Sequence, residues 1–478
     1  MINRRSFLLG ATAAWAADDP PPAIGWATHP PDGQIQFPNA GKRVKPNAKD
    51  VRPRPTISCL DTPARRQLFK DLEKGYDELL RRAPGPYPPT LPVNPTSLLH
   101  HMWLHAYYCG QVGIHSNWFF LPWHRAFLYF HERILQSIVG DHFRLPVWEW
   151  DRCNELPPFY RDWASGHLHA PYDPSDDLAH KVTTGYLQSW LQSDSPSDFL
   201  GNAASKPHAT PNAVSGPHDL VHTTFGTLME VPRTAALDPL FYTHHANIDR
   251  FWEFWRGAYG FSDDKDWLRQ SFSFHDRDGE PVSIAVSDLL NLDALGYYYP
   301  SPPDANLIYP CKTVTQSGFN ADTMTVRFAP ADFQEILTAG IRAVSRAVVD
   351  TLAQGLANAQ TLTLPCRIFG MPHEAKNGHR YLVGMRNSGD GAAVPTSQLI
   401  GSFSVFMSDD MGPMDVVATC CLDIHDIEFL AANNFQVAFV WGEPDPSGTA
   451  ILAGAHQAFW PITRVELLFR IPGAVSPR

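Results

Sequence analysis

Three clusters of histidines constrain this chain more than any other feature of its sequence. They are His105, His115 and His124, then His218 and His222, and finally the pair His244–His245. Imidazole nitrogen suits copper, and two groups of three neutral rings could hold two ions with room left for dioxygen. His218 and His222 are four residues apart, so both rings project from one face if that segment is helical. We therefore expect a helical fold that brings the three clusters to one centre.

The composition is that of a large globular protein. Of 478 residues, 44% are hydrophobic and 12% aromatic, which allows two or three domains with a substantial core. A net charge of −11, without a basic run interleaved with aromatics, argues against binding nucleic acid. No apolar run after the N-terminus is long enough to cross a membrane. The sequence leaves the oligomeric state open.

The first residues are predicted to be an export signal. Arg4 and Arg5 form a twin-arginine pair, followed by the apolar run Leu8–Ala16 and by small residues around Ala14–Ala17. That order is typical of a cleaved signal, here residues 1–17, used by the twin-arginine export route. We expect a periplasmic or secreted protein, in which the seven cysteines could form up to three disulfides.

The spacing of apolar residues changes near residue 300. Before that point it has the period of helices, and after it short runs rich in β-branched and aromatic residues alternate with turns. The predicted fold class is a mainly α catalytic domain, a helix bundle around the metal site, with a β-rich, sandwich-like C-terminal domain. The predicted segments are a proline-rich arm at 18–55, the catalytic domain at 56–260, a connecting segment at 261–303 and the C-terminal domain at 304–478, with an inserted helix at 332–360.

Residues around the third cluster repeat at helical spacing. Phe241, His245 and Asp249 follow a four-residue step, which puts an aromatic ring one turn before His245 and a carboxylate one turn after it. Carboxylates commonly orient a metal-binding imidazole through its other nitrogen. Asp249 is therefore a candidate orienter of His245.

The remaining histidines are not predicted to bind metal. His131 lies seven residues after His124, and we expect it to be packed or hydrogen-bonded. Surface or loop positions are expected for His100, His101, His167, His169, His180 and His208.

The histidine-containing segments resemble those of a known protein family. Ile114–Arg125 and Asp238–Arg250 are similar to the copper-A and copper-B motifs of tyrosinases and catechol oxidases, in the pattern of the plant polyphenol oxidases. Further similar motifs are Leu145–Asp151, Asp266–Leu268 and Tyr297–Tyr299. The resemblance covers most of residues 50–478, strongly to about residue 300 and loosely beyond.

This resemblance implies two copper ions, each with three histidine ligands, and dioxygen as co-substrate. The implied ligands are His105, His115 and His124 for copper A and His218, His222 and His245 for copper B. His245 is preferred to His244 because Phe241 and Asp249 flank it one turn away. His244 points about 100° away from that direction on the helix.

Two residues near the ligands also receive roles from the resemblance. Cys109 is at the position where plant members form a thioether with the second copper-A histidine, here His115. The alternative for Cys109 is a free thiol or one half of a disulfide. Phe241 is expected to hold the ring of the substrate by offset stacking.

The implied reaction is oxidation of a small phenolic substrate, an o-diphenol, to an o-quinone, with dioxygen reduced to water. Alternatives in the same class are a tyrosinase that first hydroxylates monophenols and an o-aminophenol oxidase. A hemocyanin-like oxygen carrier is the alternative from a different class. The export signal and the lack of a repeated copper unit disfavour the carrier.

Two positions depart from the family pattern. Monophenol-hydroxylating members often carry a glutamate shortly before the first copper-B histidine and an asparagine just after it, whereas Pro211–Pro217 contains no acid and Asp219 follows His218. Asp219 could act as a general base toward the phenol, or it could pair with a neighbouring basic group. Pro232 replaces a bulky aromatic of the plant relatives. The preferred phenol is therefore left open.

The C-terminal domain is expected to cover the copper site and keep the enzyme latent, as in the plant enzymes. The Tyr297-x-Tyr299 motif of the connecting segment motivates this expectation. Arg52 or Arg54 could make a cation–π contact with that motif. No feature of the sequence identifies the side chain that would fill the site.

Overall fold

The computed structural model describes residues 41–303, apart from 58–62, 84–92, 154, 169–171, 173–177, 179–198, 206–209, 212–213 and 227. Of the chain after residue 303 it describes seven strands and residues 406, 407 and 411. The predicted signal peptide at 1–17 and the helix predicted at 332–360 lie outside the described residues.

The region that contains the histidines is helical, as predicted. Its α-helices are α1 (Pro63–Arg81), α2 (Leu98–Tyr107), α3 (Phe120–Val139), α4 (Pro158–Trp163), α5 (Asp219–Thr224), α6 (Pro239–Tyr259), α7 (Lys265–Arg269) and α8 (Leu292–Leu295). A π-helical turn, Tyr108–Val112, extends α2, and another, Val214–His218, leads into α5. Within the described ranges, none of these helices combines the length and apolarity that crossing a membrane requires.

The two longest helices, α3 and α6, form the centre of this region. Asp238 caps the N-terminus of α6, since its side chain accepts a hydrogen bond from the amide of Leu240. Pro239 occupies the first helical position, where no amide hydrogen is needed. The two helices pack through Phe127 and Tyr242, whose ring centroids are 5.7 Å apart. Both helices are buried along most of their length, so histidines on them point into the protein.

Helix α1 covers one side of this pair. Its buried stripe consists of Leu72, Tyr76 and Leu79, which recur every three to four residues as the sequence predicted. Full burial of such side chains contributes roughly 1.5–3 kcal/mol each. This helix therefore closes the core on the side where Tyr76 meets Tyr242.

The connecting segment is tied to the N-terminal arm. Strand β2 (Arg52–Pro53) pairs in parallel with β5 (Tyr297–Tyr298), and the Arg54 guanidinium lies 3.6 Å from the centroid of the Tyr297 ring. Of the two arginines considered for a cation–π contact, Arg54 makes it. The remaining strands β1 (Lys42–Arg43), β3 (Ser271–His275) and β4 (Pro281–Ala285) form a separate sheet in the order β1-β4-β3.

The C-terminal part is β-rich, as predicted. Its strands are β6 (Met324–Val326), β7 (Leu362–Met371), β8 (Gly378–Arg386), β9 (Thr396–Val405), β10 (Met414–Leu422), β11 (Phe435–Trp441) and β12 (Arg464–Leu467). All seven belong to one antiparallel sheet in the order β12-β7-β10-β9-β8-β11-β6. The hydrogen-bonded neighbours form an unbroken series, so the described strands of this part make one continuous sheet.

Candidate metal centre

Histidine rings from all three clusters meet between α2, α3, α5 and α6. The ring centroid of His115 lies 5.3 Å from that of His218, and His124 stacks on His245 at 4.2 Å with 12° between the ring planes. Rings of the first cluster therefore contact rings of the second and third. Exposure is 3% or less for each of His105, His115, His124, His218, His222 and His245. The structure thus brings together all six histidines that the sequence singled out.

Main-chain carbonyls fix the orientation of half of these rings. The Nδ1 atom of His105 donates to Pro232 at 2.8 Å, that of His124 to Phe120 at 2.7 Å and that of His222 to Met229 at 2.8 Å. Because a carbonyl oxygen only accepts hydrogen bonds, the ring proton resides on Nδ1 in each case. Each Nε2 therefore keeps its lone pair and can act as a metal ligand.

A carboxylate orients a fourth ring. Nδ1 of His218 lies 2.8 Å from Oδ1 of Asp219, and both side chains are buried. Burial raises the pKa of Asp219 and lowers that of His218, which favours the neutral form of each group. A cation at Nε2 of His218 would favour the ionised carboxylate and its hydrogen bond from Nδ1. Two roles were left open for Asp219. The contact that the structure shows is the pairing with a neighbouring basic group, here His218.

The chemistry of these rings fits a metal. Nε2 of His124 and Nε2 of His218 are buried and have no hydrogen-bond partner among the described residues. Leaving a buried polar atom unpaired costs about 1–3 kcal/mol, which a metal ion at that atom would remove. Burial also lowers the pKa of all six histidines, that of His105 to about 3, and neutral imidazole is the form that binds metal.

The contacts of His244 and His245 differ in a way that bears on ligation. All four rings of the second and third clusters lie close enough to share a metal. However, Nδ1 of His244 accepts a hydrogen bond from Nε1 of Trp150 at 3.3 Å. Because indole nitrogen only donates, the proton of neutral His244 must be on Nε2, which then has no lone pair for a metal. In His245, Nε2 lies 3.3 Å from Nε2 of His222, and Nδ1 has no partner in the described part of the chain.

Cys109 lies between two histidines of the first cluster. Its Sγ atom is 3.1 Å from Nε2 of His105 and 3.3 Å from Nε2 of His115. Gly113, with φ of 67°, follows the π-helical turn and reverses the chain so that Cys109 and His115 meet. That conformation is available to glycine at little cost and strained for most other residues.

Phe241 packs against rings of the centre, whereas Asp249 binds side chains outside it. Phe241 packs edge-on against His105 at 4.7 Å and tilted against His245 at 4.2 Å, so it supports two rings of the centre from within the core. Asp249 does not contact His245. Its Oδ1 accepts from Nε of Arg125 at 2.5 Å, and its Oδ2 accepts from the hydroxyls of Tyr297 and Tyr299 at 2.9 and 2.6 Å. The role predicted for Asp249 is thus not supported, because both oxygens have other donors.

Phe406, which sequence analysis did not single out, lies against the histidines. It directly follows β9 and is 1% exposed. Its ring stacks on His222 at 4.1 Å with 16° between planes, and lies 6.0 Å from His115 and 5.7 Å from His218. A side chain of the C-terminal part therefore touches rings of both predicted copper sites. No local signal distinguishes Phe406 from other aromatics of a strand, since only long-range packing brings it here.

Two histidines expected at the surface are buried instead. His100 and His101 are 5% and 3% exposed and lie on α2, within the buried stretch Leu98–Ala106 that also contains His105. His101 Nδ1 lies 3.1 Å from Nδ1 of His131, whose Nε2 is 3.1 Å from the Tyr76 hydroxyl. Hydrogen bonding inside the core thus explains the error for His101, and the packed, hydrogen-bonded role predicted for His131 is confirmed.

Two family models match this chain in succession. The common central domain of tyrosinase matches residues 95–215 and 162–258, which include all the histidines of the centre. The polyphenol oxidase middle domain matches residues 262–305. This range includes Tyr297 and Tyr299, whose hydroxyls donate to Asp249.

Curated proteins and solved structures agree with these matches. Polyphenol oxidase A1 of Vicia faba, a chloroplastic protein, is 32% identical over 263 residues, which cover 45% of this chain and 43% of that protein. Catechol oxidase B of Solanum tuberosum, also chloroplastic, is 30% identical over 268 residues, 45% of each protein, so the chain matches less than half the length of either relative. The structure of latent apple tyrosinase has the same fold, with a TM-score of 0.55 at 21% identity over 84% of this chain and 96% of that chain. Both characteristic domains are thus matched in order around one cluster of histidines, and residues 95–258 and 262–305 of this chain are similar to the tyrosinases and polyphenol oxidases.

Proposed function

We propose that this protein is a dicopper phenol oxidase that converts o-diphenols to o-quinones and reduces dioxygen to water. The observation that carries the proposal is the contact between two groups of buried, neutral imidazoles. Two o-diphenols each lose two electrons and two protons, and one dioxygen takes up four of each to give two waters. The names of the plant relatives, polyphenol oxidase and catechol oxidase, support this assignment.

The proposed ligands are three histidines for each ion. Copper A is assigned to His105, His115 and His124, and copper B to His218, His222 and His245. The hydrogen bonds at Nδ1 support Nε2 as the ligand atom of His105, His124, His218 and His222. The hydrogen bond from Trp150 to His244 supports the choice of His245.

The chain's own groups hold the reacting partners and exclude water. The chemistry that a copper pair supplies is two-electron exchange between a phenol and dioxygen. Asp219 is assigned to orient His218, since its Oδ1 accepts from that ring, rather than to take the proton of the phenol. Phe241 keeps His105 and His245 in place through ring packing. The space now taken by Phe406 beside His222 is where the aromatic ring of a substrate would stack.

A thioether between Cys109 and His115 is part of the proposal. The short distance between Cys109 Sγ and the His115 ring supports it. Its formation joins Sγ to a ring carbon with the loss of two protons and two electrons, for which dioxygen is the oxidant. Mass spectrometry of the peptide that contains both residues would show the loss of two hydrogens. An alkylated Cys109 after treatment with a thiol reagent would exclude the bond.

Latency and export complete the proposed assignment. The C-terminal domain, assigned to 304–478 after a catalytic domain at 56–260 and a connecting segment at 261–303, shields the site through Phe406. Residues 1–17 are assigned to twin-arginine export, and the disulfide at Cys153 suits an oxidising compartment. Replacing Arg4 and Arg5 by lysine should retain the protein in the cytoplasm, and unchanged export would reject this route.

Oxygen consumption by the purified, copper-loaded protein tests the function. We expect two copper ions per chain and continuous oxygen uptake with catechol after limited proteolysis near residues 304–323. A single stoichiometric uptake that then stops would identify an oxygen carrier instead. A monophenol that gives quinone after a lag would show tyrosinase activity, and the same panel should include an o-aminophenol.

A further inference from the structure

One loop holds a histidine of each proposed copper site. The loop consists of residues 228–234 and is called here the carbonyl loop. Its Met229 carbonyl accepts from Nδ1 of His222, and its Pro232 carbonyl accepts from Nδ1 of His105, both at 2.8 Å. His222 belongs to copper B and His105 to copper A in the proposed assignment. The two acceptors are only three residues apart on one chain segment, so a change in the shape of that segment would reach both.

The shape of the carbonyl loop is fixed by Thr234. Its hydroxyl donates to the Leu228 carbonyl at 2.9 Å and lies 3.3 Å from the Val231 carbonyl. The amide of Thr234 also donates to Val231 at 3.0 Å. The loop is thus closed on itself by a buried side chain, 6% exposed, whose hydroxyl bonds to carbonyls of the loop and, in the described part of the chain, to no histidine ring. Removal of the hydroxyl leaves the Leu228 carbonyl with only the long hydrogen bond from the amide of Val231, at 3.4 Å, and a typical hydrogen bond contributes about 0.5–1.5 kcal/mol.

We propose that the carbonyl loop couples the two copper sites and that Thr234 is the positioning residue that sets both. The inference rests on the proposed dicopper function. Partners at the far nitrogen of a metal-binding histidine fix its tautomer and direction, and their loss typically weakens metal affinity by about 10–100-fold. Because the carbonyl loop supplies such partners to a histidine of each proposed copper site, the affinities of the two sites for copper should change together. The other anchored rings do not share this property, since His124 bonds to its own helix at Phe120 and His218 to the adjacent Asp219.

Variants of Thr234 test the proposal through copper affinity. In Thr234→Val the shape is kept and the hydroxyl is lost, and we expect both ions to bind about 10–100-fold more weakly in a chelator competition. Thr234→Ser restores the hydroxyl and should return both affinities to those of the unaltered protein. Loss of affinity for one ion alone, or for neither, would overturn the proposal, as would a failure of serine to rescue.

Thr224 provides a matched control. Its hydroxyl is also buried and also donates to a main-chain carbonyl, that of Leu220 at 2.8 Å, but this bond lies within α5 and does not involve the carbonyl loop. Thr224→Val should therefore lower thermal stability to a similar extent and leave both copper affinities unchanged. An equal loss of affinity in both valine variants would mean that the effect is general destabilisation.

A measurement on the copper-free, unaltered protein avoids any problem of folding in the variants. Selective ¹⁵N labelling of histidine allows the exchange of each Nδ1 proton with water to be followed. If the carbonyl loop opens as a unit, the protons of His105 and His222 exchange at the same rate, independently of that of His124. Rates for His105 and His222 that differ by about tenfold or more, a gap of about 1.4 kcal/mol, would refute the coupling. Failure of the unaltered protein to bind two copper ions or to oxidise catechol would instead refute the proposed function.

Discussion

At the scale of single residues, the hydrogen bond at one nitrogen of an imidazole decides whether the other nitrogen can bind a metal. His244 and His245 are adjacent, equally buried and close to the same partners. A single indole donor, Trp150, nevertheless places the proton of His244 on the nitrogen that a metal would need. Adjacent identical residues can therefore have different roles because of one neighbour that is distant in sequence.

Copper stoichiometry should separate these two histidines. His245→Ala is expected to lower the content from two ions to one and to abolish catechol oxidation, because copper B loses a ligand. His244→Ala, the matched control, should retain both ions, with reduced stability from the lost Trp150 contact. Metal analysis of purified variants gives the answer, and one ion in the His244 variant with two in the His245 variant would reverse the assignment.

At the scale of elements, a strand of the C-terminal sheet ends against a centre built from helices. The end of β9 delivers Phe406 onto His222, while Arg54 and Asp249 fasten the connecting segment to the helices through Tyr297 and Tyr299. The proposed ligands thus lie on or beside helices, and the proposed obstruction follows a strand. We therefore expect displacement of β9 to change activity without changing a ligand.

Removal of the Phe406 ring should relieve this obstruction. Burial of a phenylalanine contributes roughly 1.5–3 kcal/mol, which corresponds to about 10–100-fold in the occupancy of the site. Phe406→Ala in the intact chain is therefore expected to raise catechol turnover by about that factor, measured by oxygen uptake at equal copper content. Met411→Ala is the control, since Met411 is also buried in the C-terminal part. Equal activation by both variants would indicate a loosened domain, and no activation by either would remove Phe406 as the shield.

At the scale of the whole molecule, stability should depend on buried neutral histidines outside the metal centre. Burial lowers the pKa of His101 to about 3 and that of His131 well below its ordinary value. The unfolded chain takes up protons on these groups below about pH 6.5, whereas the folded chain does not until the pH reaches the lowered pKa. Their contribution is therefore fully present above pH 6.5 and is lost as the pH falls toward about 3.

Denaturant unfolding of the copper-free protein at several pH values checks this expectation. The free energy of unfolding should fall by about 1.4 kcal/mol per pH unit for each such histidine below pH 6.5. His101→Phe should reduce the change of unfolding free energy with pH by the contribution of one histidine. His142→Phe, at a position whose side chain is 56% exposed, serves as the control and should leave the slope unchanged. An unaltered slope in the His101 variant would contradict the assignment.

Local spacing along the sequence was sufficient to predict much of the structure of this protein. The three histidine clusters, the helical period of Leu72, Tyr76 and Leu79, and the alternation of strands after residue 300 are short-range patterns, so helices, strands and ligand candidates could be predicted. His131 was also predicted correctly as a packed residue. Such features depend on neighbours a few residues away, which the sequence displays directly.

Contacts between distant segments were decided only by the tertiary structure. Asp249 has the right spacing to orient His245, yet it is bound by Arg125, Tyr297 and Tyr299, because α3 and the connecting segment converge on its carboxylate. Phe406 contacts His222 although the two residues are 184 positions apart in the sequence, and the carbonyl loop contacts His105 from position 232. The amino-acid sequence by itself determined which side chains could bind metal. Which nitrogen each ring presents, and what covers it, depended on how the chain packs, since a hydrogen bond requires a partner within about 3 Å.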